Sequence, residues 1–223
     1  MAESNLPQIA ILGGTGKEGK GLAYRWAKAG YRVTIGSRTP EKARSAADEI
    51  GASLQGGFVG ATDNLSAAQG AEIVVIAVPY AAHRETLQAV KAAVQGKLLI
   101  DVTVPLVPPK VSKVQMPPAG SVAQEAREVL GEGVEIVDAF QNISYKHFTG
   151  EGEVDCDVLV TGTSKEARGR ALELVEAAGL SGWDAGPLEN SVVVEGLTSV
   201  LIYINKEYGS THAGIRITGV ARG

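Results

Sequence analysis

Residues 8–19 read QIAILGGTGKEG: an apolar run, then Gly14-x-Gly16-x-x-Gly19, then the start of a helical pattern. That order is the turn that receives a dinucleotide. Gly14 permits the tight turn, Gly16 lets the backbone approach a pyrophosphate, and Gly19 lets the new helix pack against the strand. The first free N–H groups of that helix, at the positive end of its dipole, then face the phosphates.

Strands and helices alternate outward from this turn. Residues 17–29 are predicted as a helix closed by Gly30, and YRVTIG (31–36) as the second strand. Pro40 opens a helix that Gly51 closes. A weak strand near Gly57–Gly60 and a short helix over Asn64–Gln69 follow. EIVVIAV (72–78), apolar throughout and stopped by Pro79, reads as a central strand buried on both faces. Ala81–Gln95 is predicted helical, with Gly96 as its stop, and KLLIDVTV (97–104) is the fifth strand. Residues 105–120 carry five prolines, too many for a regular helix or central strand, and read as a surface loop. The pattern resumes with helix 121–130, strands 134–140 and 156–162, helix 164–179 and strand 181–186. A last helix spans about Pro187–Tyr208. Short β-α-β links imply an α/β, Rossmann-type, doubly wound and mostly parallel sheet with a small C-terminal helical extension. The expected division is a nucleotide-binding unit over 1–186 and a cover over 187–223.

In that last helix Val193, Leu197, Val200, Leu201, Ile204 and Tyr208 form one stripe, widened by Val192, Val194, Ile202 and Tyr203. A helix apolar on so much of its surface is expected to be buried on more than one side.

The end of the second strand selects the nucleotide. An NAD site places Asp or Glu there for the ribose hydroxyls. This chain has Ser37 and Arg38, with Lys42 one turn into the next helix, and no carboxylate between Glu18 and Glu41. Arg38 can fork onto phosphate oxygens, so the 2′-phosphate of NADP is the expected guest.

Composition narrows the partners. The chain has 223 residues, a net charge of −4 and no block of like charges, which disfavours nucleic acid and anionic membranes. Cys156 is the single cysteine, and the N-terminus lacks the basic and apolar segments of a signal peptide, so a cytoplasmic protein is expected. No metal-ligand spacing stands out. Residues 187–223 are too few for an independent substrate domain, so a substrate must lie in the crevice at the strand ends. That crevice is expected to be covered by the Pro-rich loop, the Asp138–His147 loop and the tail. No acid/base set is evident either. His83 at a helix start, and His147 and His212 near loops, read as surface or capping histidines. Asp101 and Asp138 read as turn or loop hydrogen-bonders. Hydride exchange between two redox cofactors needs no protein acid, only two rings held at the right distance, and no catalytic residue is assigned.

The segments GGTGKEGKGLA, TIGSR, AVPY, VDAFQNIS, GPLENSVVVEGLTSVLIYIN and GIRI resemble the NADPH-dependent coenzyme F420 reductases, also called F420-dependent NADP oxidoreductases. The resemblance runs from about residue 8 to 217. GPLxNSxxVExLT at 186–198 is its most specific part, since generic nucleotide folds lack it. It implies reversible hydride transfer between NADP(H) and the 8-hydroxy-5-deazaflavin ring of coenzyme F420, in a homodimer joined through the last helix. Carried across by position, it places Gly14, Thr15, Gly16, Lys17 and Glu18 along the pyrophosphate turn. Ser37, Arg38 and Lys42 take the 2′-phosphate, and Val78, Pro79 and Ala82 border the nicotinamide. Gln141, Asn142, Ile143 and Tyr145, with Ala213 and Gly214, meet the deazaflavin. Gln141 departs from the His expected there, and Ser144 from a Pro or another small residue. Gln hydrogen-bonds a ring edge but cannot change charge, so a flavin or metal-ion acceptor, or a non-catalytic NADP-binding sensor, stays open. Lys110, Lys113, Lys146 and Arg216 are candidates for the acidic tail of the coenzyme.

Overall fold

Eight short strands assemble into one sheet, and the apolar central ones, such as IAIL, IVVI and LLID, are buried on both faces. The computed structural model describes residues 6–54, 56–148 and 154–221. Its strands are β1 (Ile9–Leu12), β2 (Arg32–Gly36), β3 (Phe58–Thr62), β4 (Ile73–Ile76), β5 (Leu98–Asp101), β6 (Glu135–Ala139), β7 (Asp157–Gly162) and β8 (Ser181–Pro187). They lie in the order β3-β2-β1-β4-β5-β6-β7-β8. All neighbours are parallel except β6 and β7. The order reverses direction beside β1, the place where an open sheet of this kind forms a ligand crevice.

The helices are α1 (Lys17–Lys28), α2 (Pro40–Ser53), α3 (Asn64–Gln69), α4 (Tyr80–Val90), α5 (Val122–Leu130), α6 (Lys165–Ala177) and α7 (Ser191–Glu207). Side chains along a strand alternate, so each strand feeds two cores. Ile9 and Ile11 of β1 and Ile73 and Val75 of β4 join Leu22 and Trp26 of α1, Ile50 of α2 and Leu174 of α6. Ala10, Leu12, Val74 and Ile76 face the other way, onto Ala67 of α3, Leu87 and Val90 of α4, and Ala126 and Leu130 of α5.

Boundaries depart from the sequence reading in several places. The second helix passes Gly51 and ends at Ser53, while α4 stops at Val90, where the Val90 carbonyl accepts from both Ala93 and Val94 in a closing turn. Paired strand β5 ends at Asp101, although Val102 still donates to the Ile76 carbonyl. Pro187 closes β8 rather than opening α7, and a short 3-10 turn, Leu188–Asn190, intervenes.

The larger difference concerns α7. Val193, Val200, Ile204 and Tyr208 of the expected stripe point outward, between 36% and 79% exposed, and only Leu201 of that stripe is buried. The face turned to the chain carries Ser191, Val194, Glu195 and Ser199 as well. Hydrogen bonding decides the orientation. Glu195 accepts from the Val122 and Ala123 N–H groups at 2.8 and 3.0 Å, Thr198 donates to the Gln141 carbonyl at 2.7 Å, and Ser191 pairs with Thr161 at 2.6 Å. These polar residues satisfy backbone groups of the body, including the start of α5, and the aliphatic face is left to the outside. Among the described residues no helix is long and apolar enough to cross a membrane.

Candidate functional site

The glycine turn joins β1 to α1 with no room for side chains. Gly13 takes φ +73, and a Cβ there would stand 2.4 Å from Val78 and 2.9 Å from the Ala77 carbonyl oxygen. The positive-φ position is therefore Gly13, one residue before the Gly14 assigned from the motif. A Cβ on Gly19 would meet the Gly14 Cα at 2.6 Å, so Gly19 packs against the turn itself rather than against the strand. Gly16 has open space, as a position approached by a ligand requires. It is also the N-cap of α1 and supplies no side-chain acceptor, which leaves the first N–H groups of the helix for an anion.

Because β2, β1 and β4 are adjacent and parallel, their C-terminal ends bring three sequence-distant segments to one edge. These are Gly14–Glu18 after β1, Ser37, Arg38 and Lys42 after β2, and Val78, Pro79 and Ala82 after β4. Ser37 is buried and its hydroxyl accepts from the Thr39 N–H at 3.2 Å, shaping the loop. Arg38 and Lys42 are exposed beside it. Neither forms an ion pair among the described residues, so both are available to a phosphate. Val78 packs over Gly13, and its carbonyl accepts from Thr103 at 3.4 Å.

A cavity of about 360 Å³ opens beyond the turn, large enough for a planar ring system. Glu18 forms its wall on the turn side. Val102, Val104 and Leu106 leaving β5 form a second side, and Gln141–Tyr145 after β6 a third. Thr198, Leu201, Ile202 and Asn205 of α7 lie across it, with Thr211 and Ala213 of the tail. The structure thus brings Gln141, Asn142, Ile143, Tyr145 and Ala213 together as the sequence reading has them. Gly214 falls outside: it lies against Cys156, where a Cβ would meet the sulfur at 2.4 Å. The β5 exit and the α7 residues were not assigned to the acceptor, although the α7 residues lie within the segment GPLENSVVVEGLTSVLIYIN. A signal existed in α7, since Thr198 and Asn205 are polar positions seven apart in an apolar helix. Asn205 accepts from the Ala213 N–H at 2.9 Å and so pins the tail over the cavity. Lys17 donates to the Tyr145 hydroxyl at 3.2 Å and its ammonium sits 4.9 Å from the ring centre, tying the turn to the opposite loop.

A buried polar network lies under the cavity floor. Asp138 is in β6, within the strand expected over 134–140, and is fully buried rather than at the start of the covering loop. Phe140 then turns the chain sharply at φ +77. The Gln141 amide folds inward to donate to the Asp101 carbonyl at 2.6 Å and, in a short bond, to the Asp138 carboxyl. Asn142 likewise spends its side chain on β7, donating to the Asp157 carbonyl and accepting from the Leu159 N–H. His83 is not a surface or capping residue: it is 1% exposed, and its Nε2 lies 2.6 Å from the Asp101 carboxylate. The first turn of α4 aims it at the end of β5, where both side chains are buried. Burial opposes its charge, but the Asp101 carboxylate outweighs burial and raises the His83 pKa above the usual histidine value. Burial, then the nearby Glu195 and Asp101, hold Asp138 well above the usual carboxylate range. Burial also pushes Glu195 up to about 8, against the two N–H bonds that it accepts.

Residues 8–105 match the family model described as NADP oxidoreductase, coenzyme F420-dependent. The chain is 41% identical over 222 residues to the F420-dependent NADP reductase of Methanothermobacter marburgensis, covering 96% of this chain and 99% of that one. It is 37% identical over 222 residues to the F420-dependent NADP reductase of Methanocaldococcus jannaschii, with the same coverage. A crystal structure from Arthrobacter sp. FB24, described as a candidate F420-dependent NADP reductase, shares the fold. Its TM-score is 0.81 at 24% identity, over 96% of this chain and 100% of that one.

Proposed function

We infer the chemistry of this site from the family to which the chain belongs, the coenzyme F420-dependent NADP oxidoreductases. The protein transfers hydride between NADP(H) and coenzyme F420. In this reading the nucleotide lies along the turn Gly14–Glu18, with its 2′-phosphate on Ser37, Arg38 and Lys42 and its nicotinamide beside Val78, Pro79 and Ala82. The deazaflavin enters the cavity against Gln141, Asn142, Ile143, Tyr145 and Ala213. The carrying observation is that one cavity begins at Glu18, on the nucleotide turn, and ends on the loop after β6. Two rings held there share a wall.

The residues present fit this use. The cavity sides combine aliphatic side chains (Val102, Val104, Leu106, Ile143, Leu201, Ile202) with polar ones, which suits a planar ring with hydrogen-bonding edges. The apolar β5 exit, the Gln141–Tyr145 loop and the α7 face orient the acceptor, and direct transfer between the rings then requires no covalent intermediate. Mixing the protein with saturating NADPH and oxidised F420 is expected to bleach the visible absorbance of the deazaflavin. No bleaching would sink the reading, and bleaching of FMN or FAD alone would replace the acceptor.

Arg38 carries the nucleotide preference. Arg38→Ala is expected to weaken NADPH binding by roughly 10- to 150-fold, the loss of one charge-assisted contact at ~1.5–3 kcal/mol. NADH binding should barely change. Equal losses for both nucleotides, measured by titration, would remove Arg38 from the 2′-phosphate.

The exposed valines of α7 support a homodimer, in which residues 187–223 act as both cover and contact and residues 1–186 as the NADP-binding unit. Val193 is 62% and Tyr203 53% exposed, with Val192, Val200 and Ile204 exposed beside them. Val200→Asp is expected to shift the mass in solution from dimer to monomer by light scattering. An unchanged dimer would move the contact elsewhere. With one buried cysteine and small-molecule partners, the reading places the protein in a reducing cytoplasm.

A further inference from the structure

We propose that Glu18 carries the proton that balances hydride transfer in this cavity, an inference that rests on the hydride-transfer reading above. The overall change, NADPH plus oxidised deazaflavin plus one proton giving NADP⁺ plus reduced deazaflavin, takes up a proton that the hydride does not supply. A C–H bond of the dihydronicotinamide breaks with both its electrons, and a C–H bond forms on the central deazaflavin ring. One unit of negative charge has then moved from a ring that becomes a cation to a ring that must be neutralised. Glu18 breaks its O–H bond as an N–H bond forms on the pyrimidine ring of the acceptor, and its carboxylate remains beside the nicotinamide cation. The reverse reaction returns the proton to Glu18.

Three observations place Glu18 in that role. It is the second residue of α1, so its side chain leaves the nucleotide turn where the turn meets the cavity. It is the one carboxylate among the described residues that line this cavity. It is half-buried, and no hydrogen bond or ion pair to the described residues engages it. The adjacent Lys17 donates to the Tyr145 hydroxyl. The ionisable groups on the surrounding elements are Lys17, Lys20, Tyr24, Arg25 and Lys28 on α1, Tyr145, Lys146 and His147 on the turn after β6, Glu195, Tyr203, Lys206 and Glu207 on α7, and Tyr208, His212 and Arg216 in the tail. Asp101 and Asp138 lie under the floor. None contributes to the state of Glu18: burial alone pushes its carboxyl up to about 8, so it holds a proton at neutral pH. A cation placed against it favours the charged form, so oxidation of the nicotinamide is what releases the proton.

The test begins without F420. Calorimetric titrations at pH 7 in two buffers of different ionisation enthalpy count the protons exchanged on binding each nucleotide. The parent is expected to release a substantial fraction of a proton more with NADP⁺ than with NADPH. The 2′-phosphate, common to both, cancels in the difference. Glu18→Gln should abolish the difference and Glu18→Asp should retain it. Equal counts for the two nucleotides in the parent, or an undiminished difference in Glu18→Gln, would overturn the proposal. In stopped flow with F420, Glu18→Gln is expected to transfer hydride roughly 100-fold more slowly at pH 7. Its rate should also no longer fall as pH rises through about 8, the value to which burial pushes the parent carboxyl. A parent-like rate and pH profile would also overturn it. Failure of the parent to bleach F420 tests the function, whereas the proton count tests Glu18.

Discussion

Asp101→Ala is expected to lower stability by about 3–5 kcal/mol, because it leaves a buried partner of a charge pair alone. Asp101 Oδ2 holds the His83 ring at 2.6 Å, and its Oδ1 accepts from the Thr103 N–H at 3.0 Å. Alanine abandons both groups in a region closed to water. The same site contributes to the pH dependence, beside Glu18, whose carboxyl burial also raises to about 8. His83, Asp138 and Glu195 all have pKa values raised in the folded state, so the folded chain binds more protons than the unfolded one. Their contribution is fully present below each unfolded value and is lost as pH rises through each folded one, about 8 for Glu195. The parent is therefore expected to be more stable at pH 6 than at pH 9, by on the order of 3 kcal/mol. Asp101→Ala should show a shallower slope, since its charge raises all three groups. Urea midpoints at the two pH values check this. A variant within about 1 kcal/mol of the parent would be too stable for the pair to be worth what burial implies. A parent equally stable at both pH values would show that the three groups do not titrate with folding.

Trp26→Ala is expected to cost about 3–5 kcal/mol in stability, the usual loss for a large buried aromatic side chain. Trp26 is fully buried on α1, and its ring N–H donates to the Leu174 carbonyl at 2.8 Å, fastening α1 to α6. Its ring meets Phe140 edge-on with centroids 5.9 Å apart, and Phe140 meets Phe148 at 6.4 Å. Phe140 directly precedes Gln141, so the loss reaches the cavity. The expected signature is a lowered unfolding midpoint with F420 binding weakened more than NADPH binding, since the nucleotide turn keeps its own glycine contacts. Trp26→Phe keeps most of the area but loses the bond to the Leu174 carbonyl, which still accepts from the Ala178 N–H, and should fall between the parent and Trp26→Ala. A Trp26→Ala loss below about 1 kcal/mol would mean that the neighbours collapse into the space.

Much of the nucleotide half was legible because its signals are local. The glycine spacing, the Ser37-Arg38 pair and the apolar strands each lie within a few residues, and a parallel sheet then brings the strand ends together. Even here the positive φ belongs to Gly13, whose constraint comes from Val78 across the turn. The acceptor half was legible only through a motif. Gln141 was read as a ring contact, yet its amide is folded onto Asp101 and Asp138, and nothing local announces that. His83 and Asp101 are 18 residues apart and look like ordinary helix-start and strand-end residues until α4 packs beside β5.

The sequence by itself determined the doubly wound fold, the dinucleotide turn and the family, since these rest on periodicity, backbone sterics and motif spacing within short windows. Tertiary structure alone decided which face of α7 is inside, which carboxyl groups are buried and what Glu18 faces. The physical reason is that burial and hydrogen-bond partners belong to pairs of distant segments. Glu195 is drawn inward by the open N–H groups of α5, 72 residues away in the chain, and Val192, Val193 and Val200 are left outside.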